Sequence, residues 1–210
     1  MKRRVFAQFG AALLAATTLA LTPLAHAAEE APDALIKRLS EDVMASIKSD
    51  KALQSGEINR IMALVESKIM PNVDFRRMTA AAVGPAWRQA TPEQQKRLQD
   101  EFKVLLVRTY AGALEQVNDQ VISFKPQRGA ATDTEVVVRT EVRGRGDPIQ
   151  LDYRMEKTST GWKIYNLNVL GVWLVETYRS QFAQEISTKG VDGLIATLAD
   201  RNRSNAAKKG

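Results

Sequence analysis

Apolar residues recur every three or four positions through the first half of this chain, every second position through its middle, and every fourth position again toward its end. These two periods separate amphipathic helix from half-buried strand. Leu35, Leu39, Val43 and Ile47, with Ile36 beside them, predict a helix that starts near Pro32-Asp33 and breaks at Ser55-Gly56. Ile58, Ile61, Met62, Val65 and Ile69 predict a second helix, stopped by Pro71. Residues 74–83 read as a short third helix that ends at Gly84-Pro85. Thr91-Pro92-Glu93-Gln94 is a strong helix start, because Thr91 can cap, Pro92 suits the first helical position and Gln94 completes a capping box. The long helix behind it carries Leu98, Phe102, Leu105, Leu106, Thr109, Tyr110 and Ala113.

Residues 121–125 form a candidate first strand. Val136, Val138 and Val142 alternate on the next, which closes at the turn signal Gly144-Arg145-Gly146-Asp147-Pro148. Ile149, Leu151, Tyr153 and Met155 alternate with Gln150, Asp152, Arg154 and Glu156, the pattern of a half-buried strand. Ser159-Thr160-Gly161 turns into residues 162–170, where the phase changes: Trp162 and Ile164 face one way, Leu167 and Val169 the other. A bulge near Tyr165-Asn166 accounts for that change. Gly171 then leads into a helix with Leu174, Tyr178, Phe182 and Ile186 at four-residue spacing, ended by Gly190. A last short helix carries Leu194, Ile195 and Leu198. The expected class is α+β: a curved antiparallel sheet of about four strands in a meander, with helices packed on one face.

Residues 1–27 read as a cleaved secretory signal. Lys2, Arg3 and Arg4 are its basic start, residues 9–21 its apolar stretch, and Ala25-His26-Ala27 its cleavage site. The apolar run is short for a membrane span, which needs about 20 residues. The only histidine, His26, leaves with the signal, and the chain has no cysteine. The mature protein therefore has no Ser-His-Asp triad, no cysteine nucleophile, no His or Cys zinc site and no disulfide. The full chain carries +6, but Lys2, Arg3 and Arg4 lie in the signal and Arg201, Arg203, Lys208 and Lys209 in the last ten residues. The body between is close to neutral, so the high isoelectric point is no sign of a nucleic-acid face. The expected organisation is a signal over residues 1–27, one domain over 28–200 and a basic, flexible tail over 201–210.

Catalysis would have to use carboxylates, Lys, Tyr, Ser or Thr, and no nucleophile-elbow, P-loop or EF-hand motif is present. Asp152 and Glu156 alternate outward and read as solvated charges. Arg143-Gly144-Arg145 is a basic hairpin tip. The apolar faces fit either a dry core or a sheet curved around a cavity, and periodicity alone leaves both open.

Three blocks in order carry a family resemblance. They are Pro71-Asn72-Val73-Asp74-Phe75; Trp87 with Ala90-Thr91-Pro92-Glu93-Gln94-Gln95, Phe102, Leu105 and Tyr110; and Gly161-Trp162-Lys163-Ile164-Tyr165 with Gly171-Val172, Leu174-Val175 and Tyr178-Arg179-Ser180-Gln181-Phe182, continuing through Gly190, Asp192-Gly193-Leu194 and Leu198. The sequence resembles the MlaC, or toluene-tolerance, family of periplasmic phospholipid carriers. The resemblance implies a carrier and not an enzyme, located in the periplasm, whose deep apolar pocket takes acyl chains and leaves the headgroup in water. No cofactor is implied beyond phospholipid as ligand. The implied partners are an outer-membrane lipoprotein complex and an inner-membrane ABC transporter with an MCE-domain ring, no nucleic acid is involved, and the carrier is expected to be a monomer. Two positions depart from the family pattern: Asn166, where Asp is common, and Trp173, where a small polar residue is common.

The pocket so implied would be lined by inward strand faces and the long helix. The candidates are Leu105, Tyr110, Val136, Val138, Leu151, Tyr153, Ile164, Leu167, Val169 and Val172, with Tyr110 and Tyr153 suited to a rim. On this expectation Leu105→Trp or Val138→Trp fills the pocket while the fold survives. Two other readings stay open at this level. A periplasmic chaperone or lipoprotein carrier would also hold apolar ligands, and a small cone-shaped isomerase would need a carboxylate on an apolar strand face.

Overall fold

The period-two segments pair in the order in which they occur along the chain. In the computed structural model, which describes residues 30–114, 120–126, 132–144 and 147–207, one sheet holds β1 (Val121–Phe124), β2 (Glu135–Arg143), β3 (Ile149–Thr158), β4 (Gly161–Val169) and β5 (Val172–Trp173). The strand order is β1-β2-β3-β4-β5 and every neighbouring pair is antiparallel. The expected signal lies outside the described residues.

A short fifth strand extends the expected sheet of about four. Gly171 does not open a helix directly. Leu170 and Gly171, at φ 53° and 86°, form a two-residue turn in the left-handed region, and Val172 pairs back onto Val169. Such turns favour Asn-Gly. A leucine in the first position costs about 1 kcal/mol, and it hides the turn from a reading of the sequence. The expected bulge is present. Met155 faces Ile164 while Arg154 faces Asn166, which leaves Tyr165 as the extra residue.

Direct strand partners share a face, so the register builds apolar rows across the sheet. Val136, Met155 and Ile164 form one row. Val138, Tyr153 and Leu167 form the next, followed by Phe124, Thr140, Leu151, Val169 and Val172, and then by Ile122, Val142 and Ile149. This is the inner face. Helices α1 (Pro32–Ser49), α2 (Lys51–Gln54), α3 (Ile58–Leu64), α4 (Phe75–Val83), α5 (Pro92–Leu114) and α6 (Leu174–Ala207) complete the fold. Two of their starts are set by side chains within one turn of the helix start. Asp74 accepts from the Arg77 backbone N–H at 2.8 Å. Thr91 and Gln94 close a reciprocal capping box at 2.9 and 3.1 Å. Gly190, at φ 69°, breaks α6 into two arms.

Residues 201–207, expected as part of a flexible tail, are helical. Helix α6 continues through Ala207, and Asn202, only 7% exposed, donates to the backbone oxygen and the carboxylate of Glu101 at 3.0 and 2.7 Å. A single polar anchor in a charged segment gives no periodic signal.

Three apolar clusters hold these elements. In the first, fully buried Phe102 of α5 meets the rings of Phe75, Tyr178 and Phe182 at 5.8, 4.9 and 5.2 Å. It ties α4, α5 and both arms of α6 together. In the second, Leu35, Ile36 and Leu39 of α1 pack on Val138, Met155, Trp162 and Ile164 of the sheet. In the third, Ile47, Leu53, Ile61 and Leu64 join α1–α3 to Ala111 of α5. Among the described residues no helix is long and apolar enough to cross a membrane.

Candidate functional site

The inner face is not evenly covered. Met155, Val138 and Ile164 are buried at 0%, 3% and 5% exposure beneath α1. Leu151, Val169, Val142, Ile149 and Ile122, on the rows farther along the same face, remain half-exposed although they point inward. Side chains that alternate inward yet keep contact with solvent border space that the helices leave unfilled.

A cavity of about 700 Å³ lies between α1 and the outer strand β1, within the size range of small-molecule sites. Met44, Val121, Ile122 and Phe124 give it an apolar lining, and Asp33, Lys37, Ser40, Glu41 and Lys48 of α1 line it with polar groups. Phe124 also packs against the α1–sheet cluster, so the lining continues onto the inner face. Tyr153 stands behind it. Burial pushes its phenol up from the ordinary value, while the hydroxyls of Thr140 and Ser40 pull it back. Ser40 thus connects the cavity wall to the sheet. A second cavity of about 510 Å³ lies between α5 and the arms of α6. Leu105 and Tyr178 line it together with Thr109, Gln181, Thr197, Asp200 and Arg201, so it is largely polar.

The structure distributes the residues expected to line a pocket. Val138 and Ile164 are packed core positions under α1, with Val136 and Tyr153 partly buried beside them. Leu167 and Val169 touch the helical cluster, and Leu151 stays half-exposed and belongs to no cluster. Leu105 is buried and lines the α5–α6 cavity. Tyr110 and Val172 are exposed, at 36% and 51%. Met44, Ile122 and Phe124 were not foreseen as lining residues. Ile122 and Phe124 alternate in the first predicted strand, and that was their only signal. Met44 sits one position off the Leu35–Ile47 stripe.

The outer face is a polar framework that fastens two helices to the sheet. The extra residue Tyr165 lies under the guanidinium of Arg77, 3.7 Å from the ring centroid. Arg77 also pairs with Glu156, and with Glu135 at 2.7 Å. Arg154 stacks on Trp173 at 3.9 Å and pairs with Glu176. Buried Asn166 accepts from the backbone N–H groups of Leu167 and Val175 at 2.9 and 3.1 Å, and donates to Glu176 at 2.7 Å. The two family departures therefore have a local use: Asn166 serves the start of α6, and Trp173 is the platform for Arg154. The hydrogen bond from Arg77 holds Glu135 below the ordinary carboxylate range. Burial pushes Glu176 up, but hydrogen bonds from Asn166 and Arg154 outweigh it and hold this carboxyl low as well. Helix α1 has no such tie, for among the described residues it makes no ion pair to the sheet.

Asp152 departs from its expected solvation. It does lie on the outer face, between Arg139 and Asn168 in register, but it is only 5% exposed. It accepts from Gln150 at 2.7 Å, and its other oxygen has no hydrogen-bond partner. Alternation alone does not reveal that burial.

Comparison with known proteins follows the same lines. A sequence model of the family described as MlaC protein matches residues 37–200. The chain is 27% identical over 176 residues to the toluene tolerance protein ttg2D of Pseudomonas putida, across 83% of this chain and 81% of that one. It is 21% identical over 175 residues to the intermembrane phospholipid transport system binding protein MlaC of Haemophilus influenzae, across 81% and 82% of the two chains. A solved structure of the phospholipid-binding protein from Ralstonia solanacearum, in complex with a phospholipid, superposes with a TM-score of 0.81 at 50% identity, covering 83% of this chain and 98% of that one. The family match runs from within α1 through the whole sheet and well into the second arm of α6, and the chain belongs to the MlaC protein family.

Proposed function

We propose that this protein is a periplasmic phospholipid carrier, without catalytic activity, that moves glycerophospholipid between an outer-membrane lipoprotein complex and an inner-membrane ABC transporter bearing an MCE-domain ring. By doing so it helps to keep the outer leaflet of the outer membrane free of phospholipid. The observation that carries this reading is the half-exposed apolar inner face, continuous with an apolar-lined cavity beside α1. Kinship with a phospholipid-bound protein at 50% identity supports it.

The energetics explain why such a carrier is needed. Two acyl chains hold roughly 30 methylenes, and exposing them to water costs on the order of 20 kcal/mol. A carrier must offer apolar volume nearly as good as a bilayer, and not much better, or the lipid would not leave. Burial and dispersion supply this without charged groups. No carboxylate occupies an inner-face position among the described strand residues, which favours a carrier over an isomerase. The test is solvent extraction of the purified mature protein followed by mass spectrometry. Diacyl phospholipid near one per protein is the expected result. A protein that purifies empty and takes up no lipid from vesicles overturns the proposal.

A further inference from the structure

The groove between α1 and β1 is electrically divided. Toward the start of α1, Lys37 has Asp33 and Glu41 four residues to either side, and all three line the cavity. Residues four apart are neighbours on a helix, so the charge of Lys37 is offset. Lys48, on the last turn of α1, lines the same cavity, and its helical neighbour there is Met44. The carboxylate nearest to it in sequence, Asp50, is engaged elsewhere: it accepts from Ala52 and Leu53 and pairs with Arg60 at 2.5 Å. Arg38, also on α1, pairs with Glu30 at 2.8 Å. Lys48 has no ion-pair partner among the described residues. The groove thus joins an apolar floor to a lysine that stands about two helical turns from Glu41, the nearer lining carboxylate of α1, and that has no ion pair among the described residues.

We propose that Lys48 receives the phosphodiester of the cargo at the mouth of this groove, while the acyl chains pass over Ile122 and Phe124 to the inner face. This rests on the phospholipid-carrier reading and extends it, because the headgroup is then sensed for its phosphate. The recognised chemistry is an amphiphile with two apolar chains and an anionic phosphate. An apolar floor alone would not distinguish it from an uncharged lipid with the same chains.

The experiment titrates the full, delipidated mature protein with pyrene-labelled phosphatidylglycerol and with pyrene-labelled diacylglycerol of identical chains. Lys48→Gln is expected to weaken phosphatidylglycerol binding about five-fold at low salt, the weight of one exposed charge pair, and to leave diacylglycerol binding unchanged. The difference should shrink as salt is added, and Lys48→Arg should restore it. Lys96→Gln, which removes an exposed α5 cation paired with Asp100, controls for net charge. Equal losses for both lipids, no loss for either, or the same loss in Lys96→Gln overturns the assignment. If the unsubstituted protein binds neither lipid, the carrier reading itself falls, and that is seen before any variant is compared.

Discussion

Replacing Leu151 by tryptophan separates unfilled space from packed core. Leu151 points inward between Thr140 and Val169, keeps solvent contact and belongs to no apolar cluster. An indole there should turn into the space meant for cargo. If it displaces about three methylenes of acyl chain, the loss is about 2.4 kcal/mol, or roughly 50-fold in lipid affinity. Stability should barely change, because nothing tightly packed is displaced. Val138→Trp is the contrast. Val138 is 3% exposed under α1, and overpacking such a site costs about 1–3 kcal/mol. The sequence-level expectation that Val138→Trp spares the fold is therefore replaced by one of destabilisation. Partition of labelled phospholipid between vesicles and protein measures the first effect, and thermal melting the second. If Leu151→Trp binds lipid as well as the unchanged protein, or melts as low as Val138→Trp, the space inferred at Leu151 does not exist.

Four further outcomes are expected. Phe102→Ala empties the centre of the aromatic cluster and should cost about 3–5 kcal/mol, lowering the melting temperature by roughly 10 °C; a shift of only a degree or two would show that the cluster collapses around the gap. Asn166→Ala leaves the Val175 N–H without its acceptor and should cost about 1–3 kcal/mol, with hydrogen exchange accelerated at the start of α6 while α5 stays protected; uniform acceleration would argue against a local role. Leu170→Asn relieves the left-handed backbone of a residue that is 63% exposed, so chemical denaturation should show a gain of about 0.5–1 kcal/mol, and a loss would mean that the leucine makes a contact unaccounted for. Because Glu135 and Glu176 titrate low in the folded protein, their contribution is intact above the ordinary glutamate value of 4.5 and is lost as pH falls through the lower folded values. Melting temperature should accordingly drop in acid, and less so in Arg77→Met; a profile flat through the carboxylate range would dismiss the outer-face framework as a stabilising element.

Much of the architecture is written locally. Helix α5 starts where Thr91 and Gln94 can satisfy each other's backbone, and α4 where Asp74 can cap. Both depend on residues within one turn, so a linear reading finds them. The bulge at Tyr165 was legible as a break in alternation, because an extra residue must reverse the facing of everything after it. The turn at Leu170-Gly171 was not, because its first residue goes against the preference of such turns and is held by strand pairing alone.

The sequence by itself determined the α+β class, the helix starts, the strand phases and the set of residues that face inward, since each follows from periodicity and short-range hydrogen bonding. The tertiary structure decided which inward residues are sealed and which border open space. Val138 and Leu151 read alike along the chain, yet α1 covers one and leaves the other half-exposed. It also decided that Asp152 is buried and that Lys48 lines a groove with an apolar floor and has no ion pair among the described residues. Those outcomes depend on where segments far apart in sequence come to rest, and no local pattern records that placement.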